Sequence, residues 1–340
     1  MSGERSALMS MLFGYFPPQV LHVAVRLGLP DQLAGGPRDA DDLASATECD
    51  QGSLRRLLRA LAALGVVEQT SAQAFALTST GQLLRSDVPS SLRNYALLFC
   101  GEQVWQSWGD LEYSVRTGEP AWQRKYGPPF GPEFMKPDFA AVFNAAMADG
   151  TKTAAPGVAA VGGFERFAAV ADIGGGHGIL LATILAAHPA LHGVLFDLPG
   201  ALAGAPQVLQ AAGVADRCAV VAGDFFEAVP RAADAYLLKS VIHDWTDERA
   251  TVLLASCRRA MSPEDTLLIV EPVLSAQPSQ SELFSLSYSD INMMVCTGGR
   301  ERTEQEFRSL LAAAGFELRR VVPCPATGYS VLEAGLAAAP

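Results

Sequence analysis

The sequence has few charged residues and no excess of positive charge. Charged residues make up 18% of the 340-residue chain, and acidic side chains outnumber basic ones, so that the net charge is −11. A protein that binds DNA or RNA needs a basic face for the phosphates, and this balance therefore argues against a nucleic-acid partner. Hydrophobic residues reach 49%, which allows a large buried core, and the length predicts two or three subdomains.

Paired metal-ligand cysteines are absent as well. The six cysteines are scattered, and no two of them form a Cys-x-x-Cys pair, so we expect no zinc site. The start of the chain lacks the basic region and apolar run of a signal peptide. No apolar run reaches the ~18 residues that span a bilayer, so we expect no membrane association. These features predict unpaired thiols in a reducing cytoplasm.

The first part of the chain is predicted to be mainly helical, with one β-hairpin. Residues 8–29 have helical apolar spacing, which the Pro17-Pro18 pair must bend or break. Asp41-Asp42 is predicted to open a further helix, and Asp50 with Ser53 another that runs to Gly65. Residues 66–68 and 75–77 are predicted as the hairpin strands. This order of elements resembles a winged helix.

A winged helix allows two interpretations. Arg55, Arg56 and Arg59 on its third helix could contact DNA phosphates, as in a ligand-sensing regulator. The acidic total favours a structural or dimerisation module instead. We therefore predict a dimerisation domain over residues 1–90.

Residues 91–160 are rich in aromatic side chains and are predicted to be helical. The Pro/Gly-rich stretch GPPFGPEF at 127–134 is expected to interrupt the helices. We predict that this segment is a helical linker that contributes to a binding pocket, followed by a catalytic domain over residues 161–340.

From residue 168 onward, strand patterns alternate with helical ones. This alternation predicts an α/β fold with a doubly wound, mostly parallel sheet of seven strands, and helices in each interval between the first six strands. The last two strands leave almost no room for a helix, so we expect an antiparallel hairpin at the sheet edge. The predicted strands are AAVADI, HGVLFD, CAVVAGD, AYLLKSV, DTLLIVEPV, FELRRVV and SVLEAG.

The first of these strands ends in Asp172 and a glycine cluster at residues 174–178. Glycines let a ligand approach the backbone, and the N-terminus of the following helix offers free N–H groups to an anion. The dinucleotide-binding fingerprint requires a glycine where Ile179 stands, so that fingerprint is not met. A phosphate or the carboxylate of a methionine moiety would fit this turn.

The next two strand ends also carry carboxylates. Asp197 lies about 20 residues past the loop, where it can accept hydrogen bonds from two ribose hydroxyls. Asp224 can accept the amino group of adenine, and Phe225 can pack on the adenine ring. No phosphate-binding Lys-Ser/Thr pair is nearby. The predicted ligand is therefore adenosine that carries an amino acid, which is S-adenosylmethionine.

The fourth strand is followed by His243, which would lie over the reactive end of this cofactor. An imidazole with a pKa near 6.5 suits a general base that activates a phenol. Either Glu271 or Glu301 could orient its other ring nitrogen. We expect Asp244 to point elsewhere and cap the next helix. Glu301 could alternatively belong to a helix start with a capping box, Glu301-Arg302-Thr303-x-x-Glu306.

At these residues the chain resembles the plant caffeate-type O-methyltransferases, a family that includes hydroxyindole methyltransferases and bacterial antibiotic-pathway relatives. The resemblance covers nearly the whole chain, because several motifs occur in the family's order. These motifs are Phe143-Asn144-x-x-Met147, DIGGGHG, FDLP, GDFF, LLKSVIHDWTDE, LLIVEP and DINMMVCTGGRERTEQEF.

The resemblance implies a homodimer formed through the N-terminal helices, no metal, and a base at His243 with Glu271 and Glu301 as partners. The predicted cofactor-binding residues are Asp172, Gly174, Gly176, Asp197, Leu198, Gly223, Asp224, Phe225, Lys239 and Ser240. The predicted residues of the pocket for a small aromatic acceptor are Phe143, Asn144, Met147, Asp244, Trp245, Asn292 and Met293.

Some bacterial relatives lack the histidine, and one similar protein has become a hydroxylase-like enzyme that keeps the cofactor. This sequence retains His243 and both glutamates. The chain is therefore expected to methylate a phenolic hydroxyl, with a cofactor-retaining hydroxylase and a DNA-binding regulator as the alternatives.

Overall fold

The structure is a computed structural model that describes residues 3–131, 134, 136–275, 277–324 and 327–337. The chain folds into two compact units, Met1–Gln106 and Ser107–Pro340. The sequence-based domain boundaries after residues 90 and 160 stay predictions.

The N-terminal unit packs short helices on a three-stranded antiparallel sheet with strand order β1-β3-β2. Its core includes Leu29, Leu43, Leu58 and Phe75, which are all at least 97% buried. The elements are α1 (Gly3–Leu12), α2 (Phe16–Arg26), α3 (Leu29–Gln32), β1 (Arg38–Asp39), α4 (Ala40–Ala46), α5 (Gln51–Ala63), β2 (Val67–Gln69), β3 (Ala74–Leu77), α6 (Ser79–Gln82), α7 (Arg93–Phe99) and α8 (Glu102–Gly109), which reaches three residues beyond this unit.

Local sequence explains where these helices begin. The Asp50 carboxylate accepts a hydrogen bond from Ser53 N at 2.8 Å and caps α5, as predicted. The helix is interrupted between Leu12 and Phe16. Pro17 and Pro18 lie in the first turn of α2, where proline removes no helical hydrogen bond. Helix α4 starts at Ala40, slightly earlier than predicted, because Asp39 is its cap.

Arg55, one of the three arginines that could contact DNA, forms an ion pair within this unit. Its guanidinium donates to both carboxylate oxygens of Asp41, at 3.2 and 2.6 Å. The expectation that the chain binds no nucleic acid stays a prediction.

The C-terminal unit is built on the predicted seven-stranded sheet, with strand order β11-β12-β8-β7-β4-β5-β6. The pairs among β4 to β8 are parallel, whereas β12 runs antiparallel to β8 and β11, so the predicted edge hairpin is confirmed. The strands are β4 (Ala169–Ile173), β5 (His192–Asp197), β6 (Cys218–Ala222), β7 (Ala235–Lys239), β8 (Thr266–Glu271), β11 (Phe316–Pro323) and β12 (Ser330–Leu336), with the short β9 (Val273–Leu274) and β10 (Arg302–Thr303) outside this sheet.

Buried hydrophobic residues explain the central position of β8. All six of its residues are buried, as expected of a strand that is covered on both faces of a parallel sheet. Two hydrophobic clusters, one containing Ile269 and the other Leu268, fill the two faces. The helices are α9 (Leu111–Thr117), α10 (Ala121–Tyr126), α11 (Pro137–Val161), α12 (Ile179–Ala187), α13 (Ala205–Ala211), α14 (Asp247–Ala260), α15 (Gln280–Cys296) and α16 (Glu304–Ala313).

The prediction of a helix between β6 and β7 is wrong. The connection between β6 and β7, residues 223–234, contains turns and no helix. The carboxylate of Asp224 accepts the Phe226 amide at 2.8 Å and closes a local turn instead. Pro230 further along the same short connection also disfavours a helix.

The two-residue strands β9 and β10 pair in parallel, with Arg302 opposite Val273. Two residues before Val273 stands Glu271, and one residue before Arg302 stands Glu301. This short pairing, which the sequence pattern does not predict, therefore brings the two glutamates to the same place.

The predicted interruption at residues 127–134 is confirmed where it is described, because α10 ends at Tyr126 and α11 begins at Pro137. Pro132 and Glu133 lie outside the described residues. No single helix in the described part of the chain is long and apolar enough to cross a membrane, although α1 and α2 together, bent by 41°, pass that test of length and composition.

Candidate active site

The glycine cluster forms a tight turn at the carboxyl end of β4. Gly174 has a φ of +73°, and a Cβ there would come within 2.9 Å of the Val241 side chain and 3.6 Å of the Phe225 ring. Only glycine combines this backbone conformation with such a close approach. The turn leads into α12, whose first free N–H groups face the same edge of the sheet.

Two predicted carboxylates lie beside this turn. Asp197, at the end of β5, accepts hydrogen bonds from Gly176 N at 2.8 Å and Leu198 N at 2.7 Å. Asp172 is 99% buried, and among the described residues its Oδ2 has no hydrogen-bond partner. Burial and the nearby Asp197 charge raise the pKa of Asp172 to about 7. An orphaned buried carboxylate of this kind is suited to a ligand ammonium group.

The third predicted carboxylate follows β6, the next strand in the sheet. Asp224 uses Oδ1 for the Phe226 amide, and Gly223 N bonds the Asp197 carbonyl at 3.0 Å. Phe225 lies against the Gly174 turn and 6.1 Å from the Trp245 ring. Asp197, Asp224 and Phe225 thus occupy neighbouring strand ends, as the sequence predicts.

Lys239 ends β7, and Ser240 follows it on the way to His243. Lys239 Nζ donates to Thr151 Oγ1 at 3.2 Å and lies 4.9 Å from the centre of the Tyr329 ring. Ser240 adopts a φ of +53° and bonds the Tyr329 hydroxyl at 3.2 Å. Thr151 and Tyr329 are not in the predicted set. Thr151 continues the spacing of Phe143 and Met147 along α11, and this i, i+4, i+8 pattern could have identified it.

His243 lies in the short 3-10 turn Ile242–Asp244 after β7. Its Nδ1 is 3.1 Å from Glu301 Oε1 and 3.4 Å from Glu271 Oε2. The side chain of His243 is 15% exposed, whereas those of the two glutamates are at most 1% exposed. Of the two carboxylates, only that of Glu301 forms a hydrogen bond with Nδ1, whereas Glu271 Oε2 has no hydrogen-bond partner among the described residues. Nε2 is the ring nitrogen that the glutamates do not use.

Glu271 also binds the backbone of the histidine turn. Its Oε1 accepts from the amides of Val241, Ile242 and His243 at 3.0, 2.9 and 3.3 Å. Glu271 therefore holds the backbone of this turn through Oε1, and its Oε2 lies close to the imidazole without a hydrogen bond. The sequence motif identifies Glu271 only as a partner of the ring.

Glu301 is held by helix α15. Its Oε1 accepts a hydrogen bond from Ser289 Oγ at 2.7 Å, and its backbone N donates to Asp290 Oδ1 at 2.8 Å. Ser289 and Asp290 are outside the predicted set. The predicted capping box is present at Thr303 and Glu306, so Glu301 precedes that helix start and faces His243 as well.

The two glutamates set the charge of the imidazole. Burial alone would lower the pKa of His243, but the negative charges of Glu271 and Glu301 outweigh it and raise this pKa to about 10. Burial raises the pKa of Glu271, which the positive imidazole opposes. A proton on this cluster is therefore strongly stabilised, as the product of a proton transfer to His243 would be.

Asp244 differs from its expected role. Helix α14 is capped by Thr246, which accepts from Arg249 N, so the predicted cap at Asp244 is wrong. Thr246 has the extended backbone conformation of a cap, whereas Asp244 ends the 3-10 turn. Burial, with the charges of Glu271 and Glu301, raises the pKa of Asp244 to about 7. Its carboxyl group thus belongs to the surroundings of His243.

Aromatic rings extend from Trp245 to helix α11. The ring centroids of Trp245 and Phe130 are 5.3 Å apart, and those of Phe130 and Phe134 are 4.7 Å apart. The Phe134 ring centroid lies 4.6 Å from that of the predicted Phe143. Phe130 has a φ of +57°, a conformation that phenylalanine rarely adopts. Asn144 and Met147 are half-buried on α11.

On α15, the predicted Asn292 and Met293 are half-buried. The indole Nε1 of Trp108 donates to Asn292 Oδ1 at 2.9 Å, which fixes the orientation of this amide. Asn292 follows Ser289 by three residues, so both lie on one face of the helix. The structure thus connects Asn292 through Ser289 to the Glu301 side of the histidine cluster.

The donor set fits S-adenosylmethionine. The orphaned Asp172 oxygen suits the ammonium group, the Asp197 carboxylate suits ribose hydroxyls, and the Phe225 ring suits the face of adenine. The glycine turn leaves room for the ligand at Gly176, where a Cβ would meet no atom within 4 Å. Sheet order, strand-end carboxylates and a histidine one strand further indicate a methyltransferase.

Comparison with known proteins agrees with this class. Residues 108–317 match the O-methyltransferase domain, and residues 9–87 match the O-methyltransferase dimerisation domain. The chain is 42% identical over 330 residues to a phenazine O-methyltransferase from Lysobacter antibioticus, a match that covers 97% of this chain and 95% of that protein.

Two solved structures are similar over the same extent. The crystal structure of LaPhzM has a TM-score of 0.93 at 40% identity and covers 98% of this chain and 99% of its own. The neocarzinostatin-biosynthesis O-methyltransferase NcsB1, in complex with S-adenosylmethionine and 2-hydroxy-5-methyl naphthoic acid, has a TM-score of 0.81 at 31% identity, covering 94% and 96%.

The chain belongs to the O-methyltransferase family, as the resemblance predicted. It is an S-adenosylmethionine-dependent O-methyltransferase with a dimerisation domain of the same family.

Proposed function

We propose that this enzyme methylates a phenolic hydroxyl of a small, flat aromatic secondary metabolite, with His243 as the general base. The observation that carries this proposal is the pairing of His243 Nδ1 with two buried glutamates, at 3.1 and 3.4 Å. This pairing turns Nδ1 toward the glutamates, so Nε2 is the ring nitrogen left for the acceptor, and the base form is the ring without a proton on Nε2.

S-adenosylmethionine, when bound, supplies a methyl group on a positively charged sulfur, which leaves as a neutral thioether. His243 Nε2 accepts the proton of the acceptor hydroxyl as the oxygen attacks the methyl carbon. Glu271 and Glu301 stabilise the resulting imidazolium, and the proton then passes from Nε2 to solvent. The remaining task of the protein is to align oxygen, methyl and sulfur.

The cofactor contacts that we propose follow the strand ends. Asp172 would bind the ammonium group, Asp197 the ribose hydroxyls, and Asp224 the amino group of adenine, with Phe225 against the ring. The positive charge of Lys239 acts to lower the pKa of Asp172, so Lys239 would partly balance the negative charge of this carboxylate.

The aromatic rings support a flat acceptor with fused rings. Phe130, Phe143 and Trp245 belong to one chain of ring contacts next to the histidine turn. A fused-ring acceptor can bury both of its faces on such side chains. The names of the similar proteins, which refer to a phenazine and a naphthoic acid, agree with this acceptor class.

A screen of hydroxyarenes with methyl-labelled cofactor tests the proposal. We expect label in a product heavier by one methylene group, with kcat/KM at least about tenfold higher for fused-ring phenols than for single-ring phenols, since the larger ring system buries more apolar area. A product heavier by an oxygen atom would establish the hydroxylase alternative instead.

We also propose that the reaction needs no metal. The ligand atoms of His243, Glu271 and Glu301 lie within 4.8 Å of one another, so a cation could in principle reach them. In the proposed mechanism these atoms hold a proton. Dialysis against EDTA should leave turnover unchanged, and loss of turnover that zinc restores would contradict this point.

The N-terminal unit supports a homodimer. Helix α1 has no buried residue, and Met11, Leu12 and Phe13 are 74%, 59% and 47% exposed. Apolar side chains of this kind in a dimerisation domain suit a second copy of the chain. Sedimentation equilibrium should give a dimer, and Met11→Asp should shift it toward monomer.

We further propose that the dimer works in the cytoplasm, which suits its free cysteines.

A further inference from the structure

Arg302 is almost completely buried beside the turn that carries His243. It is 1% exposed and belongs to the short strand β10, outside the main sheet. A buried guanidinium needs a partner for each donor, because an unpaired one would be costly to desolvate. The partners of Arg302 therefore indicate what it is for.

Those partners are main-chain carbonyls on either side of His243. Arg302 Nη1 donates to the Ile242 carbonyl at 3.2 Å, and Nη2 donates to the Trp245 carbonyl at 2.9 Å. The same guanidinium binds Asp247 Oδ1 through Nε at 3.0 Å and through Nη2 at 2.7 Å. Asp247 is 55% exposed, so it orients the guanidinium from the solvent side.

The carbonyl of His243 itself is held by residues 299–302, the segment that contains Arg302. Arg300 N donates to the His243 carbonyl at 2.9 Å. A Cβ at Gly299 would clash with this carbonyl, so glycine is needed for the approach. Segment 299–302 therefore binds the carbonyl side of the turn, whereas Glu271 binds its amide side.

We propose that Arg302 is a positioning residue for the methyl transfer and that it acts through His243. The inference rests on the proposed role of His243 as the base. Clamped between Glu271 and Arg302, the turn holds Nδ1 toward the glutamates and Nε2 toward the acceptor. Loosening the carbonyl side would move Nε2 out of line with the hydroxyl, and displacements of about 1 Å can reduce a rate about a hundredfold.

The planar fork of arginine reaches two carbonyls at once, which the single ammonium of lysine cannot. We expect Arg302→Lys to lower kcat about 10- to 100-fold while the KM and Kd for S-adenosylmethionine change less than about twofold. The matched control is Arg308→Lys on α16, because Arg308 pairs with Glu304 and the Leu318 carbonyl and is remote from the turn. That control should keep its kcat.

A double-mutant cycle separates positioning from general damage. In a His243→Ala background, Arg302→Lys should change the residual rate less than about twofold, because the group that it positions is gone. Equal loss in both backgrounds would overturn the inference and leave the proposed function standing. Full activity of His243→Ala alone would contradict the proposed function itself.

Asp247→Ala gives the same test at the exposed partner of Arg302, in the first turn of α14. Without Asp247 the guanidinium loses its orientation, so kcat should fall severalfold in the wild-type background and stay constant in the His243→Ala background. If Arg302→Lys does not fold, this second cycle decides, and a loss in both backgrounds would overturn the inference.

Discussion

Two acidic regions at the same edge of the sheet are used in opposite ways. At the cofactor edge, the carboxylates of Asp172 and Asp197 face the glycine turn, and one Asp172 oxygen has no partner among the described residues. At the histidine cluster, Glu271 Oε1 and Glu301 Oε1 accept hydrogen bonds from the turn and ring of His243, whereas Oε2 of each, like Asp172 Oδ2, has no hydrogen-bond partner among the described residues. The first region is arranged for a ligand, and the second for a proton.

The difference shows that a strand-end carboxylate has no fixed role. Its role depends on the donors that surround it. Where the carboxylates lie beside a glycine turn with open space at Gly176, a cationic or hydroxylated ligand can reach them. Where the main chain and a histidine supply the donors, the same group becomes a support for catalysis. Substitutions in the two regions should therefore affect different steps.

The largest expected effect is at the histidine. His243→Ala removes the proposed base, so turnover should fall about 10²- to 10⁴-fold. Steady-state assays with labelled cofactor measure this change. His192→Ala, at the exposed start of β5, is the matched control and should keep turnover. Unchanged turnover in His243→Ala would remove the general-base role.

Glu301→Gln should have the next largest effect. Glutamine keeps a hydrogen-bond acceptor but loses the charge that raises the pKa of His243. The imidazolium is then less stabilised, so kcat on the high-pH plateau should fall severalfold, and the rising limb of the pH–rate profile should move about one unit toward lower pH. Glu306→Gln, at the capping box of α16, should leave the limb in place. A limb that moves toward higher pH in Glu301→Gln would contradict the account.

Asp172→Asn should change the stability of the cofactor-free protein. The pKa of Asp172 is raised to about 7 by burial in the folded state, against about 3.9 in the unfolded chain. Between these values the folded protein holds a proton that the unfolded chain has released, so stability falls as pH rises.

Asparagine removes this cost. Without cofactor, Asp172→Asn should be more stable than the parent by about 4 kcal/mol at pH 8, with the difference disappearing toward pH 4. Urea unfolding at the two pH values measures it. A variant that is less stable at pH 8 would show that Asp172 is ionised and well paired in the folded protein.

The cofactor edge could be predicted from the sequence, because each of its groups follows a recognisable strand. The carboxyl ends of neighbouring parallel strands meet, so Asp172, Asp197 and Asp224 come together without knowledge of any long-range contact. His243 could be placed by the same reasoning, as the residue after the next strand.

The supports of the histidine could not be predicted in this way. The pairing of β9 with β10 involves two residues in each strand and shows no periodicity. Ser289 reaches Glu301 from a helix whose register is set by packing. Arg302 resembles an ordinary charged residue near a helix start, and only its burial and its carbonyl partners show otherwise.

Asp244 illustrates the same limit. Asp244 and Thr246 are both ordinary capping residues, two positions apart, and the sequence favours neither. In the structure Asp244 ends the 3-10 turn, whereas Thr246 is extended and accepts the Arg249 amide as the cap of α14.

The most direct test of the two regions measures donor binding and the single-turnover rate in the same pair of variants, Asp197→Asn and His243→Ala. We expect Asp197→Asn to weaken S-adenosylmethionine binding at least about tenfold while the rate at saturating donor stays within severalfold of the parent. His243→Ala should bind the donor normally and lose the rate about 10²-fold or more. Loss of both properties in either variant, or a normal rate in His243→Ala, would contradict the division between ligand binding and proton transfer.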